Sequence, residues 1–376
     1  MGQTLTNLID RFDIWRSKST AFSEGRNGVL LISSGGIGDT LLFRLIILRF
    51  QTLLLPNEQL HLVIRQDCSQ VAFLFPKDIQ IHSIDYPHFI KNRTYRRTVC
   101  RKMHALNLRI AVSTDHLRHP LIDDVIVRAT LAPQKFALYP RSWPKYDTLL
   151  KRNIKQYDPL IEVPDHMEHR LIRWWHLANE ICGDVQPVPK ASLPKAALPP
   201  PAHLERDLFM LHPFSAVKER QYSVKIFQEI LEILPLDCDI ALSCGPEDLT
   251  TNPEFKMLLD DARVYVDMCS FEYRASTLQA TKLVISIDTS VMHLATLCGT
   301  PTICLASAAH VIDSIPYDER MIPKNVCFLY HDMECRMCLG QCSHPLEDNR
   351  YPCIARMDTQ QVLDKITDVL STLILR

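Results

Sequence analysis

Residues 28–54 read GVLLISSGGIGDTLLFRLIILRFQTLL, and their reading decides the fold. The run from Gly28 to Ser33 is short, apolar and rich in branched side chains, as a strand buried on both faces requires. The turn SSGGIGD follows, and residues 40–54 predict a helix. Working outward, residues 60–65 predict a strand, 68–75 a short helix, 79–85 a strand, 91–105 a basic helix and 108–114 a strand. Strand and helix in regular alternation predict a parallel sheet wound on both faces.

The alternation restarts in the second half. Strands are predicted over 208–214, 238–244, 263–268, 282–288 and 302–307, with helices over 223–234, 254–262, 272–280 and 290–298. Between the halves, residues 186–203 hold six prolines, Pro187 to Pro201. Such a segment suits neither a helix nor a central strand and reads as a linker. The expected architecture is α/β, two doubly wound Rossmann-like domains facing a cleft, with ligands at the carboxyl ends of the strands. The expected boundaries are an N-terminal amphipathic helix over 1–27, a first domain over 28–186 and a linker over 187–203. A second domain over 204–330, a Cys-rich loop over 331–357 and a C-terminal helix over 358–376 follow. In the first segment Leu5, Leu8, Ile9, Phe12 and Trp15 recur at helical spacing. That helix either packs on its own domain or lies on a membrane surface, and its few basic residues favour packing.

Composition narrows the class. The chain has 376 residues, too many for one compact core and suited to two domains. Its residues are 47% hydrophobic, with 42 Lys+Arg against 43 Asp+Glu, which excludes a disordered chain. A net charge of −1 argues against a surface built for nucleic acid. No stretch approaches the ~20 apolar residues of a spanning helix. The N-terminus lacks the apolar centre of a signal peptide, so a cytoplasmic location is expected. The 13 cysteines are then not expected to pair as disulfides.

Three segments, each after a predicted strand, can carry chemistry. In the first, Gly35, Gly36 and Gly38 precede Asp39 at a helix start, where backbone N–H groups and the dipole attract anions. It is neither a Walker A loop nor a full dinucleotide fingerprint, and Asp39 serves equally as a helix cap. In the second, Asp288, Thr289 and Ser290 lead into a helix carrying Met292 and His293; they cap that helix or seat a pyrophosphate. In the third, Lys218 and Arg220 follow His212-Pro213-Phe214-Ser215, as phosphate ligands or as solvated cations.

Together these segments resemble glycosyltransferase family 9, the heptosyltransferases that use ADP-heptose. In that family a strand leads into a G-x-G-D turn, as Gly36-Ile37-Gly38-Asp39 does. A later block, D-T-G/S-x-x-H-x-A followed by G-T-P, stands here as Asp288 to Ala295 and Gly299-Thr300-Pro301. The turn Gly245-Pro246-Glu247 matches the family's nucleotide-contacting turn. The middle loop departs: Arg220-Gln221-Tyr222-Ser223 stands where Lys-x-Trp-Pro is usual, with Lys218 as a second candidate. The resemblance covers residues 28–370 and implies a GT-B fold.

By that resemblance the second domain binds ADP-heptose through Lys218, Arg220, Glu247, Asp288, Thr289, Ser290, Met292 and His293. The first domain receives an acceptor hydroxyl near Gly36 and Gly38, with Asp39 as general base and inversion at the anomeric carbon. Cations and a helix N-terminus would stabilise the departing diphosphate, so no catalytic divalent metal is expected. The acceptor is lipopolysaccharide core or, in the alternative, serine side chains of an autotransporter adhesin. Peripheral contact with the inner membrane suits the first. An inactive GT-B scaffold is the remaining alternative.

Two further features bear on the acceptor. Cys335, Cys338, Cys342 and Cys353 fall within nineteen residues, a spacing that fits a tetrahedral zinc or iron site or, alternatively, a reduced metal-free loop. Autotransporter heptosyltransferases resemble family 9 enzymes with a structural cysteine-bound iron in this region. Residues 91–109 hold seven Lys/Arg, among them Arg96 and Arg97. They form a solvated helix face or bind the anionic groups of an acceptor.

Overall fold

The structure, a computed structural model, describes residues 25–163 and 168–374. The helix expected at the N-terminus falls on residues 1–24 and lies outside the described part. The chain divides into two compact units, Met1–His166 with Ile172–Pro187, and Met167–Leu171 with Val188–Arg376.

The first unit is built on β1 (Val29–Ile32), β2 (Leu60–Arg65), β3 (Gln80–Ile84), β4 (Ile110–Ser113), β5 (Gln134–Leu138) and β6 (Leu160–Ile161). The order is β3-β2-β1-β4-β5-β6, and every pairing is parallel. β1 is central and wholly buried, as its apolar run predicts. The helices are α1 (Ile37–Phe43), α2 (Tyr86–Lys91), α3 (Arg93–Ala105), α4 (Asp123–Thr130), α5 (Asp147–Asn153) and α6 (Arg170–Cys182). Asn92 caps α3 by accepting from the Tyr95 N–H. One ion pair, Arg118 to Asp124 at 2.9 Å, is fully enclosed. Asp124 also accepts from the Asn153 amide and the Tyr157 hydroxyl, so its buried charge is satisfied.

The second unit repeats the plan with β7 (Leu208–His212), β8 (Asp239–Ser243), β9 (Val264–Asp267), β10 (Leu283–Ile287), β11 (Thr302–Leu305) and β12 (Val326–Leu329), in the order β12-β11-β10-β7-β8-β9. All its pairings are parallel too. Its helices are α7 (Val224–Ile233), α8 (Asp248–Thr251), α9 (Phe271–Ala280), α10 (Ser290–Leu297), α11 (Pro352–Ala355) and α12 (Thr359–Ile374). α12 lays Val362, Ile366 and Leu370 into the same core as Ile226 and Phe227 of α7.

Three predicted α-helices are 3-10 helices instead: Ile47–Leu53, Gln66–Leu74 and Pro253–Asp260. The reason is spacing. Buried Cys68, Val71 and Leu74 recur every third residue, as do Ile47 and Phe50, and Phe255 and Leu258. A 3-10 turn aligns such residues on one side, whereas an α-turn rotates them off it. The run expected as one helix over 40–54 therefore ends its α-turns at Phe43.

The proline-rich segment is not a free linker. From Val188 onward it belongs to the second unit. Its Ala191 N–H donates to Met321 O and its Leu193 N–H to Leu297 O, and Gln279 donates to Pro199 O. Prolines bar regular pairing, but the non-proline N–H groups still find partners. Among the described residues no helix is long and apolar enough to cross a membrane.

Candidate functional site

Each sheet has one place where the chain leaves neighbouring strands in opposite directions, β1/β4 in the first unit and β10/β7 in the second. Loops at the carboxyl ends of such a pair diverge and leave room for a ligand.

At the second-unit switch point, β10 runs into Asp288 and α10. Thr289 is the N-cap residue, but its side chain makes no capping bond; its hydroxyl turns back towards Ile287 O at 3.4 Å. The first-turn N–H groups of α10, with Ser290 in that turn, are thus not capped by the N-cap side chain. The loop after β7 brings Arg220 across. Its Nη2 donates to Asp288 Oδ2 at 2.7 Å, with side chains 16% and 8% exposed. Arg220 Nε is buried with no hydrogen-bond partner among the described residues. A buried guanidinium donor without an acceptor, beside an uncapped helix start, suits an anion.

The other predicted donor residues separate into two groups. Lys218 is exposed and directs its ammonium to Thr251 O and Glu254, away from Asp288. Glu247 is exposed on the turn after β8, where Gly245 N–H donates to Asp248 Oδ2 at 2.6 Å. The Met292 side chain is fully buried and packs with Cys304, Ala306 and Ile315, so what it can offer a ligand is its backbone N–H in the first turn of α10. On a helix of eight residues it falls on the face turned to the sheet. His293 is 4% exposed, with Nδ1 2.6 Å from Tyr317 Oη. Tyr222, in the place of the family's tryptophan, is buried and donates to Ala306 O, bracing the loop against β11.

In the first unit Gly36 is the N-cap residue of α1 and Gly38 lies inside it. Asp39, at the third helical position, accepts the Gly36 N–H at 2.8 Å. Gly35 must be glycine, because a Cβ there would overlap the Asp39 side chain. The expectation that Arg96 meets an acceptor is corrected. Arg96 is 3% exposed, lies over the Phe89 ring and donates to Leu121 O. Arg97, one position on, is exposed. A helix face turns by 100° per residue, so consecutive arginines cannot share an environment.

Two carboxyls at this switch point carry no sequence motif. Asp115, just past β4, accepts from both the N–H and the hydroxyl of Ser34, at 2.7 and 2.8 Å, and so ties β4 to the glycine turn. Asp123 is fully buried, accepts from the His119 N–H at 2.6 Å and has Oδ1 without a hydrogen-bond partner among the described residues. Burial, then the neighbouring Asp115, pushes its pKa up to about 7. The only sequence signal was the polar doublet Thr114-Asp115 closing an apolar strand.

Asp237-Cys238-Asp239 is an Asp-x-Asp triplet that the sequence reading passes over. It lies at the amino end of β8, and both carboxylates accept from Arg206. It thus faces away from the carboxyl ends where the loops gather.

The four C-terminal cysteines are neighbours. Burial raises the Cys335 thiol, and Cys338 and Cys342 raise it further; Cys353 is raised by burial and by all three. As they stand, no group of three or more His, Cys, Asp or Glu among the described residues is placed to hold a metal ion. The loop is nonetheless constrained. Met337 and Leu339 have φ of 65° and 52°, and their N–H groups are bound by Ala308 O and Ala309 O. Left-handed non-glycine residues between thiols are strained positions that need a reason.

Comparison with known proteins decides the family. Residues 151–341, just over half of the chain, match glycosyltransferase family 9 (heptosyltransferase). The chain belongs to that family. The fold is GT-B, shared with several solved structures. The Escherichia coli heptosyltransferase WaaC with ADP-2-deoxy-2-fluoro heptose is 16% identical, with a TM-score of 0.64 over 90% of this chain and 99% of that one. A family 9 glycosyltransferase from Veillonella parvula is 14% identical, with a TM-score of 0.65 over 94% and 99%. The iron-containing dodecameric glycosyltransferase TibC from enterotoxigenic E. coli is 14% identical, with a TM-score of 0.51 over 93% and 77%. No curated protein matches the chain by sequence. The protein is a glycosyltransferase of the heptosyltransferase family.

Proposed function

We propose that this glycosyltransferase transfers heptose from ADP-heptose to an acceptor hydroxyl, inverting the anomeric centre. The observation that carries this reading is the Arg220–Asp288 pair beside the uncapped start of α10, with Arg220 Nε awaiting an acceptor. It is a seat for a diphosphate, and the likeness to structures that hold ADP or an ADP-heptose analogue supports an adenosine diphosphate donor. Asp39 takes the acceptor proton as the hydroxyl oxygen attacks the anomeric carbon. The bond from that carbon to the diphosphate breaks on the opposite side, and ADP leaves with the electron pair. Arg220, Thr289, Ser290 and the α10 N–H groups meet the charge that develops on it.

For the acceptor, lipopolysaccharide core is the first reading. Exposed Arg97 among the basic residues of α3 supports an anionic acceptor. Modification of an adhesin is the second reading, favoured by the four neighbouring thiols and the likeness to iron-containing TibC. In that reading Cys335, Cys338, Cys342 and Cys353 hold zinc or iron, which would lock the loop over residues 331–357 and take no part in transfer.

Calorimetry with ADP-heptose, ADP-glucose, UDP-glucose and GDP-mannose tests the donor. Selective binding of ADP-sugars supports it; a preference for UDP or GDP removes it. Absence of all binding and hydrolysis would favour an inactive scaffold. Mass spectrometry of a co-expressed passenger domain, beside analysis of truncated core lipid, separates the acceptors.

A further inference from the structure

The second sheet has an edge at β12, which pairs with β11 alone. Thr302 N–H donates to Asn325 O, and Ala306 N–H donates to Leu329 O. Along a parallel ladder, residues whose backbone groups face the neighbouring strand alternate with residues that face away. Asn325, Cys327 and Leu329 therefore face β11, while Val326 and Phe328 turn their N–H and C=O groups to the free edge. Among the described residues no backbone bond reaches those outward groups.

A cavity of about 780 Å³ lies along this edge, within the size range of ligand sites. Val326, Cys327 and Phe328 all line it, although successive side chains of a strand point to opposite faces. A cavity that meets all three reaches round the free edge, in the plane of the sheet. One wall is α12. Leu329 packs into the core that holds Val362 and Ile366 of that helix, so Cys327 shares its side, and Lys365 and Val369 line the cavity there. The other wall is the segment before β12. Phe328 meets the Tyr317 ring, 5.1 Å between centroids, and Pro316 and Ile322 line the cavity there.

Shape and charge select the occupant. A second copy of this sheet would bring its own flanking helix and loop, and the two walls already hold those places. A bare extended chain fits between them, at the usual strand spacing of about 4.8 Å. Lys324 and Lys365 both line the cavity, and neither forms an ion pair among the described residues, where Lys218, Lys225 and Lys282 do. Asp368 is the single acid on the lining, so the cavity carries a net positive charge.

We propose that the edge of β12 receives an extended peptide segment of a partner protein as a seventh strand. The partner's backbone bonds the outward groups of Val326 and Phe328, its apolar side chains meet the two walls, and an acidic residue lies beside Lys324 and Lys365. β11 separates this edge from the β10/β7 switch point, so the surface is distinct from the diphosphate seat.

The test titrates the full chain into a fluorescein-labelled peptide of seven residues, alternating valine and threonine with a central glutamate, and reads anisotropy. Saturable binding is expected. Lysine in place of the glutamate should weaken it roughly fivefold, the scale of an exposed ion pair, and Lys365→Glu should reverse that preference. Methylating alternate amide nitrogens of the peptide gives two isomers. The isomer blocked on the amides that face β12 should lose roughly tenfold or more, and the other less than about threefold. Val326→Pro removes an outward N–H at the first position of the strand and keeps the β11 ladder. It should weaken the peptide roughly tenfold, with thermal melting as the check on folding. If that variant does not fold, the two isomers still decide. Equal loss with both isomers, equal affinity for the glutamate and lysine peptides, or no saturable binding would overturn the proposal. So would a dimer in sedimentation that Val326→Pro dissolves, since the edge then belongs to a second copy.

Discussion

Removing the charge of Arg220 is the sharpest test of the diphosphate seat. One guanidinium nitrogen is engaged by Asp288 at 2.7 Å, while Nε is buried without a partner among the described residues. A diphosphate can therefore gain one charge-assisted bond without first breaking the pair. Such a bond is worth about 1.5–3 kcal/mol. Arg220→Met should then weaken ADP roughly 10- to 100-fold, at about 1.4 kcal/mol per decade. The same change strands Asp288, which is 8% exposed, so some affinity could be lost through repulsion alone. The double variant Arg220→Met/Asp288→Asn removes that charge as well. Asp288→Asn by itself frees the guanidinium and should leave ADP affinity equal or higher. Calorimetry with ADP on the four proteins, each checked by thermal melting, gives the answer. If both Arg220 variants bind ADP within threefold of wild type while remaining folded, Arg220 is not part of a diphosphate seat.

Three further outcomes are expected. Asp39→Asn keeps an oxygen to receive the Gly36 N–H, so it should fold and bind ADP normally yet lose about 100- to 10,000-fold in transfer rate; full turnover ends the general-base role. Asp123 is raised from 3.8 to about 7 in the folded state, so the unfolded chain releases this proton first as pH rises. Stability should therefore fall from about pH 4 to about pH 7, by at most on the order of 4 kcal/mol. Asp123→Asn should match wild type at pH 4 and exceed it at pH 8 in urea unfolding; an equal loss at both values refutes the buried-carboxyl account. Cys335→Ser should lower zinc or iron content by elemental analysis, and the melting temperature with it, more than it lowers turnover; a metal-free wild type that melts no lower than a metal-loaded one removes the structural site.

Much of the fold was legible because it rests on local patterns. GVLLIS and KLVISID announce buried parallel strands by branched apolar content alone, and a glycine- or hydroxyl-bearing turn after each marks a helix start. Residues 115–185 were not legible. β5 and β6 are short edge-side strands with exposed or half-buried positions, so they lack the contrast that a central strand has. The 3-10 helices were misread as α because periods of 3 and 3.6 differ by only about 0.6 residue per turn. At the candidate site, Asp288, Thr289 and Ser290 stand out in the sequence because chemistry and motif coincide in adjacent residues. The burial of the Met292 side chain was not legible, because a motif names positions, whereas the helix decides which of them face the sheet.

The sequence by itself determined the alternation and the residues that follow β1, β7 and β10, since each depends on neighbours within a few positions. Only the tertiary structure decided that Arg220 reaches Asp288, that Asp115 clamps Ser34, that Arg96 is spent on Phe89 and Leu121, and that Tyr317 holds His293. The hydrogen-bonded pairs among them lie 24 to 81 residues apart. Their energies come from burial and from hydrogen-bond partners supplied by distant segments, which no local window of sequence contains.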